Sequence, residues 1–335
     1  MSILVESPGL LTTVQDLGRY GHRGIGVSVG GAVDTFALRA ANALVGNEPQ
    51  HAALELTMLG ATLRFREDAL VALCGAELDA RAVEGPPLPG WRPVLVRSGT
   101  TLRLGPARRG LRAVLAVAGG IAVPAPLASR STLVRARLGG LAGRALAAGD
   151  LLPVGPLPAL AASLRAQLAA AEGPLVPAPW ALAAQARPPY AEHPVIRVVR
   201  GREAEAFEAS SLERFFSAAW RLTPQSDRMG CRLDGSPLAL RAPLEMISEA
   251  VVPGTIQVPP AGRPIVLLSD AQTTGGYPRI AQAAAVDLPL IAQVRPGGTL
   301  RFTEISQAEA QALYLARELE LQALQASVRA RINSL

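Results

Sequence analysis

The sequence predicts a mainly β protein with a few helices, arranged as two related β-barrels. Three observations predict it. Short apolar runs alternate with glycine turns through the N-terminal third and resume from His193. The pattern Gly-x-Thr-Leu-Arg-[Leu/Phe] occurs at Gly60–Phe65, Gly99–Leu104 and Gly297–Phe302, as expected for a strand leaving a tight turn. Only 4% of the 335 residues are aromatic, so Leu, Val, Ile and Ala must build the core.

In the first barrel, over residues 1–110, the candidate strands are Ala53–Met58, Ala61–Phe65, Leu70–Cys74, Pro93–Val96 and Thr101–Leu104. One helix interrupts them at Asp34–Val45. Asp34 suits its N-cap, Leu38, Ala41 and Val45 share a face, and Gly46-Asn47 stops it. Residues 111–156 are expected to complete the barrels as a connecting β segment. Residues 157–192 are rich in Ala and Pro and read as a linker or insertion, with a helix at Ala159–Ala171. The second barrel occupies 193–305, with strands at Val195–Val199 and around Ile247, Ile256 and Ile265, and a helix near Glu203–Ala218. A long helix over Ser306–Arg331, within residues 306–335, ends the chain. Its Ser306 and Glu309 form a capping box, and Leu313, Leu321, Leu324 and Val328 recur at helical spacing.

All 33 basic residues are arginine. Without lysine there is no P-loop lysine, no Schiff-base or PLP lysine, and no biotinyl or lipoyl lysine on this chain. The net charge of +6 raises nucleic-acid binding, but the arginines are scattered and aromatic stacking platforms are few, so no nucleic-acid partner is expected. The longest uncharged run, Ala113–Ser129, is broken by Gly119-Gly120, Pro124 and Pro126, so no membrane partner is expected. The N-terminus has no basic n-region, and a cytoplasmic protein is the expectation. Cys74 and Cys231 fit no disulfide framework and read as apolar fillers. His22, His51 and His193 are far apart and lack cysteine partners, so no metal site is expected.

Two glycine-rich polar segments follow apolar runs. One is Gln15-Asp-Leu-Gly-Arg-Tyr-Gly21, leading to Gly30-Gly-Ala-Val-Asp34; the other is Ser269–Gln282. Main-chain amides near glycine approach a ligand closely and can hold a carboxylate, a phosphate or a developing oxyanion. Gln272, Thr273 and Thr274 add neutral donors and acceptors that orient an amide without titrating. The same residues also suit plain structural turns whose threonines satisfy their own backbone. At Ser226-Asp-Arg-Met-Gly230, Arg228 is either an anion anchor or a surface arginine beside an Asx turn at Asp227.

The runs Ser7-Pro-Gly-Leu-Leu-Thr-Thr-Val-Gln-Asp-Leu-Gly-Arg19, Ala116-Val-Ala-Gly-Gly-Ile121, Arg137-Leu-Gly-Gly140, Ser226–Gly230, Gly254-Thr-Ile-Gln-Val-Pro-Pro260 and Gln272-Thr-Thr-Gly-Gly-Tyr-Pro278 resemble those of the family of 5-oxoprolinase C subunits. That family is also called biotin-dependent carboxyltransferase-like, or allophanate hydrolase subunit 2. The resemblance covers most of the chain except the Ala/Pro-rich middle and the last helix. It implies two cyclophilin-like β-barrel domains and a heteromeric complex with the B and A subunits of 5-oxoprolinase. It implies ATP-dependent opening of 5-oxoproline to L-glutamate, with ATP, with or without Mg2+, as cofactor. A carboxyltransferase component of a urea carboxylase and a regulatory partner of the B subunit are the alternatives. On this reading Asp16, Asp227 and Arg228 carry catalysis. Gln15, Gly18, Arg19, Gln257, Gln272, Thr273, Thr274, Gly275, Gly276, Tyr277 and Arg279 bind substrate or nucleotide, with Arg19, Arg228 and Arg279 neutralising phosphate or carboxylate. The chain departs from the family at Tyr20-Gly21-His22 (usually Pro-Gly-Tyr) and at Ser28-Val29-Gly30-Gly31 (usually Pro-Pro-Ser-Gly). Arg279 replaces a usual lysine and keeps its charge, and Cys231 stands where tyrosine is common.

Overall fold

The computed structural model describes residues 2–333. The chain divides into two units. The first comprises the chain up to Arg19, Gly30–Pro188 and the chain from Leu319; the second comprises Tyr20–Val29 and Pro189–Glu318.

The first unit is built on nine strands: β1 (Ser2–Ser7), β2 (Leu11–Gln15), β3 (Ala53–Thr57), β4 (Thr62–Phe65), β5 (Ala69–Ala82), β6 (Val94–Val96), β7 (Thr101–Val117), β8 (Leu151–Pro153) and β9 (Leu175–Pro177). They form one sheet in the order β8-β1-β4-β7-β5-β6-β9, with β3 also paired to β7 and β2 to β3. Two copies of the Thr-Leu-Arg pattern pair with each other here: Leu63 lies opposite Leu102, and Arg64 opposite Thr101. The leucines and Phe65 are buried while Arg64 and Arg103 face solvent, as a two-residue period requires. Ile3, Val14, Leu54, Leu73, Val94 and Leu115 join them in one hydrophobic core.

Strands β5 and β7 run past the expected ends at Cys74 and Leu104. Gly105, Pro106 and Gly110 look like breakers, but three register shifts between Gly75 and Ala80 absorb them and bend the long pair. A side chain at Gly105 would meet the Asp79 carbonyl at 2.7 Å, so glycine permits this strand approach.

Helix α1 (Thr35–Leu44) is capped by Asp34, whose carboxylate accepts from the Ala37 amide at 2.9 Å. Residues 157–188, within the Ala/Pro-rich stretch read as a linker or insertion, belong to this unit. Helix α2 (Ala159–Leu168) buries Ala161, Leu164 and Leu168, and β9 pairs with β6 at the sheet edge. A three-residue strand is too short to show a period in sequence.

The second unit contains β10 (Val195–Arg200), β11 (Trp220–Leu222), β12 (Gly230–Asp234), β13 (Glu249–Ala250), β14 (Thr255–Gln257), β15 (Ile265–Leu267), β16 (Thr274–Gly275), β17 (Arg279–Ala283) and β18 (Thr299–Glu304). Seven of them close a barrel in the order β10-β17-β14-β15-β12-β11-β18, and β13 and β16 form a separate two-stranded ribbon. The third Thr-Leu-Arg-Phe copy is β18, which closes the barrel against β10 in parallel. The strand expected around Ile247 is displaced. Ile247 is 89% exposed, and the pairing starts at Glu249, where the ribbon partner at Gly275 is available.

Helix α3 (Ala209–Ser217) lays Phe215 flat on Phe302 at 4.6 Å, and the buried Trp220 indole donates to the Phe215 carbonyl at 3.1 Å. Helix α4 (Leu288–Ala292) is short and buried. Helix α5 (Gln307–Asn333) starts with the expected capping box: the Glu309 carboxylate accepts from the Ser306 amide at 2.7 Å, and the Glu309 amide donates to the Ser306 hydroxyl at 3.2 Å. Residues 334–335 of the predicted terminal segment lie outside the described residues. Among the described residues, no helix is long and apolar enough to cross a membrane.

Truncating Phe302 removes a stacked, buried ring that two elements share. The Phe302→Ala variant is expected to lose about 3–5 kcal/mol of stability, measured by chemical denaturation.

Candidate functional site

Strands β12 and β15 pair with Gly230 opposite Leu267, so the residues just outside this pair lie side by side. The Asp270 amide donates to the Arg228 carbonyl at 3.0 Å. The two side chains then pair in a fork: Arg228 Nε to Asp270 Oδ2 at 2.9 Å, and Nη2 to Oδ1 at 3.0 Å. Both are buried. A paired fork in a buried setting has strict geometry, so it fixes where the chain from Asp270 begins.

From there the polar loop runs to Pro278. The Val251 amide donates to the Thr273 carbonyl at 3.1 Å. Ala250 pairs with Thr274, and Glu249 with Gly275. The buried Gln257 side chain lies under the loop and donates to the Tyr277 carbonyl at 3.3 Å. A Cβ at Gly275 would sit 2.5 Å from Gln257 Nε2, so the close approach needs glycine. The Val258 amide donates to the Pro278 carbonyl at 2.9 Å and returns the chain to β17.

Arg279 then forks onto Glu203, with Nε to Oε2 at 2.7 Å and Nη2 to Oε1 at 2.5 Å, and reaches Glu249 Oε2 at 2.7 Å. The Glu203 hydrogen bonds raise the Arg279 pKa above its already high ordinary value. Burial works against ionisation of Glu203, but the Arg279 hydrogen bonds outweigh it and hold the carboxyl below its usual range. The loop therefore has a braced underside and an exposed face made of Gln272, Thr274, Gly276 and Tyr277.

Segment Tyr20–Val29 belongs to this same unit. The Ser28 hydroxyl donates to the Ala271 carbonyl at 2.7 Å. Arg23 Nη2 donates to the Val251 carbonyl and, at 3.2 Å, to the Thr273 carbonyl. Sequence reasoning missed Arg23, Ser28, Glu203 and Glu249. Nothing in a chain full of arginines singles out Arg23, and the two glutamates sit 76 and 30 positions from Arg279.

The candidates from the first segment lie in the first unit. Asp16 is buried and fully engaged. Its Oδ1 accepts from the Ser131 hydroxyl at 2.5 Å, the Ser129 hydroxyl at 2.7 Å and the Gly18 amide at 2.8 Å; its Oδ2 accepts from the Arg130 amide at 2.6 Å. That arrangement ties the loop after β2 to Ser129–Ser131. Gln15 donates to Thr13 Oγ1 and to the Thr132 carbonyl. Arg19 is buried, with Nη2 donating to the Ser131 carbonyl at 2.5 Å. In the second unit Asp227 forms the Asx turn, accepting from the Met229 and Gly230 amides at 2.8 and 3.3 Å. Cys74 and Cys231 are buried, and burial pushes the Cys74 thiol up. Within the second unit the structure brings Arg228, Gln257, Thr273–Tyr277 and Arg279 together; Gln15, Asp16, Gly18 and Arg19 belong to the first unit.

The family described as "Carboxyltransferase domain, subdomain A and B" matches residues 25–304. The chain is 40% identical to the 5-oxoprolinase C subunit of Haemophilus influenzae over 92% of its own length and 93% of that protein. It is 41% identical to the 5-oxoprolinase C subunit of Escherichia coli, over 90% and 91% respectively.

The chain belongs to the carboxyltransferase-domain family.

The crystal structure of the Kluyveromyces lactis urea carboxylase contains the same fold, with a TM-score of 0.85 at 28% identity. That match covers 96% of this carboxyltransferase-domain chain but 29% of the larger protein. The match to the K. lactis urea amidolyase, with a TM-score of 0.86, covers 20% of that protein.

The depressed Glu203 pKa gives a signed pH dependence. The ionised pair adds stability that is complete above the ordinary carboxylate range, near pH 4.3, and is lost as pH falls through the lower folded value. The stability gap between the natural protein and Glu203→Gln should be constant above about pH 5.5 and shrink in acid, as followed by denaturant midpoints across pH.

Proposed function

We propose that this chain is the C subunit of an ATP-dependent 5-oxoprolinase complex, which opens the lactam of 5-oxoproline to L-glutamate together with its A and B subunits. One observation carries the reading. The chain matches proteins named as 5-oxoprolinase C subunits at about 40% identity over nearly their full length, whereas its 28–32% matches to urea amidolyases cover 18% of those proteins. The geometry of the second unit supports it. A lactam offers one carbonyl and one N–H, and the exposed Thr274 hydroxyl, the Gln272 carboxamide and the Gly275-Gly276 main chain supply matching neutral groups. The braced underside keeps these groups in place, which favours recognition by a preformed surface.

The role of Thr273 is to hold the loop. Its carbonyl takes two donors, and its side chain is buried. Gln257 supports Gly275 from below. ATP is a co-substrate of the proposed reaction, and the three arginines expected to meet its phosphates are otherwise engaged or buried. There is no P-loop, Arg228 and Arg279 are paired with carboxylates, and Arg19 is buried. ATP turnover is accordingly proposed for the complex, with no phosphoryl step assigned to this chain. The complex is proposed to be cytoplasmic.

A second reading rests on the fold match to the urea carboxylase. On that reading the loop would face urea, and carboxybiotin would arrive on a separate carrier, because this chain has no lysine to carry biotin.

The test is co-purification with the A and B subunits, followed by glutamate release from 5-oxoproline. Release that needs ATP and all three chains is the expected result. No release, with carboxylation of urea instead, would replace the first reading by the second. Within an active complex, Gly275→Ala should displace the Gln257 carboxamide and lower kcat/KM by about tenfold, with folding stability changed by less than about 1 kcal/mol.

A further inference from the structure

The arginines expected to meet an anion are committed elsewhere. Arg228 is forked onto Asp270, Arg279 is shared between Glu203 and Glu249, and Arg202 also pairs with Glu249. Arg23 differs. Its Nη2 donates to the carbonyls of Val251 and Thr273, which carry no net charge. Among the described residues, no carboxylate forms an ion pair with it. The Nε and Nη1 hydrogens remain for an external acceptor, because a guanidinium offers five N–H donors in a fixed fork.

Arg23 is also held in place at the loop. The two carbonyls it bridges lie beside each other, since the Val251 amide itself donates to the Thr273 carbonyl. One guanidinium nitrogen therefore locks the group at the base of the Thr274–Tyr277 face. The turn around it is bare. Gly21, Gly24 and Gly26 have open space where a side chain would stand, and Ile25 is 74% exposed. The turn that carries Arg23 thus presents no side-chain bulk at these three glycines.

We infer that Arg23 reads the substrate's carboxylate, so that the Thr274–Tyr277 surface suits an amide bearing an acid and not a neutral amide such as urea. This rests on the proposed 5-oxoprolinase reading and narrows it to a substrate class. The lactam carbonyl and N–H would meet the neutral groups of the loop, and the carboxylate on the adjacent ring carbon would meet Arg23. An uncompensated, immobilised guanidinium favours an anion in two ways: by charge, and by hydrogen bonds stronger than neutral ones.

The reconstituted complex tests this with two lactams, 5-oxoproline and 2-pyrrolidinone, which lacks the carboxylate. Arg23→Gln should raise KM for 5-oxoproline by about 10- to 100-fold, with a smaller effect on kcat. The same variant should change the weaker turnover of 2-pyrrolidinone little, so selectivity collapses. Arg23→Lys, which keeps the charge but loses the fork, should recover part of it. Ser28→Ala, which loosens the same segment without touching charge, should lower both lactams alike. Equal losses on both lactams in Arg23→Gln would reduce Arg23 to a strap and overturn the inference.

Should the complex open neither lactam, the 5-oxoprolinase reading falls while the anion site stays testable. NMR titration of the full chain with 5-oxoproline and L-glutamate then decides it. Shifts in residues 271–277 that Arg23→Gln abolishes support the site, and no shifts in the natural protein overturn it.

Discussion

The buried fork between Arg228 and Asp270 is the constraint on which the second unit's polar surface depends. Two charges under a protein surface are tolerated only when each satisfies the other in good geometry, and removing either partner typically costs about 3–5 kcal/mol. The fork joins the end of β15 to the residues before β12, and the main-chain bond from Asp270 to Arg228 repeats the link. The loop that follows inherits that fixed origin. It can expose glycines and hydroxyls to solvent without collapsing, because its first residue is tied down and Gln257 supports its middle.

The far end of the loop is secured by the same chemistry. Arg279 divides its hydrogen bonds between Glu203 and Glu249, which come from the connection after β10 and from the β13–β16 ribbon. Each of these arginines therefore works as a brace. Planar guanidinium groups suit this role better than ammonium groups, because the fork sets both distance and orientation. A chain that uses only arginine as its cation can build rigid supports at many positions. At Arg228 and Arg279 the positive charge is matched by carboxylates, whereas Arg23 donates to neutral carbonyls.

Much of the fold was legible in particular residues. Asp34 and Gly46 bounded α1 because capping is a local effect. Ser306 and Glu309 marked the start of α5 for the same reason. The three Thr-Leu-Arg copies became β4, the start of β7, and β18, because alternation fixes which face is buried whatever the partner strand. Legibility failed where pairing overrides local signals. The extension of β7 through Pro106 and Gly110 depends on bulges opposite β5, and β9 exists only because β6 offers an edge. The candidate site divided in the same way. Gln272–Pro278 was visible as a glycine-rich polar stretch after an apolar run, whereas the exposure of single residues within it was not.

The sequence by itself determined the exclusion of lysine chemistry, the mainly β architecture, the helix ends and the position of the polar loop. These follow from residue type and short-range spacing, which act within a few positions. Only the tertiary structure decided that Asp16 ties its loop to Ser129–Ser131, that Arg228 and Arg279 are neutralised, and that Arg23 stands beside Thr273 with carbonyls as its partners. An arginine's availability depends on which carboxylates lie within a few ångströms, and those come from positions tens to hundreds of residues away. No local pattern encodes that distance; the closure of the barrel does.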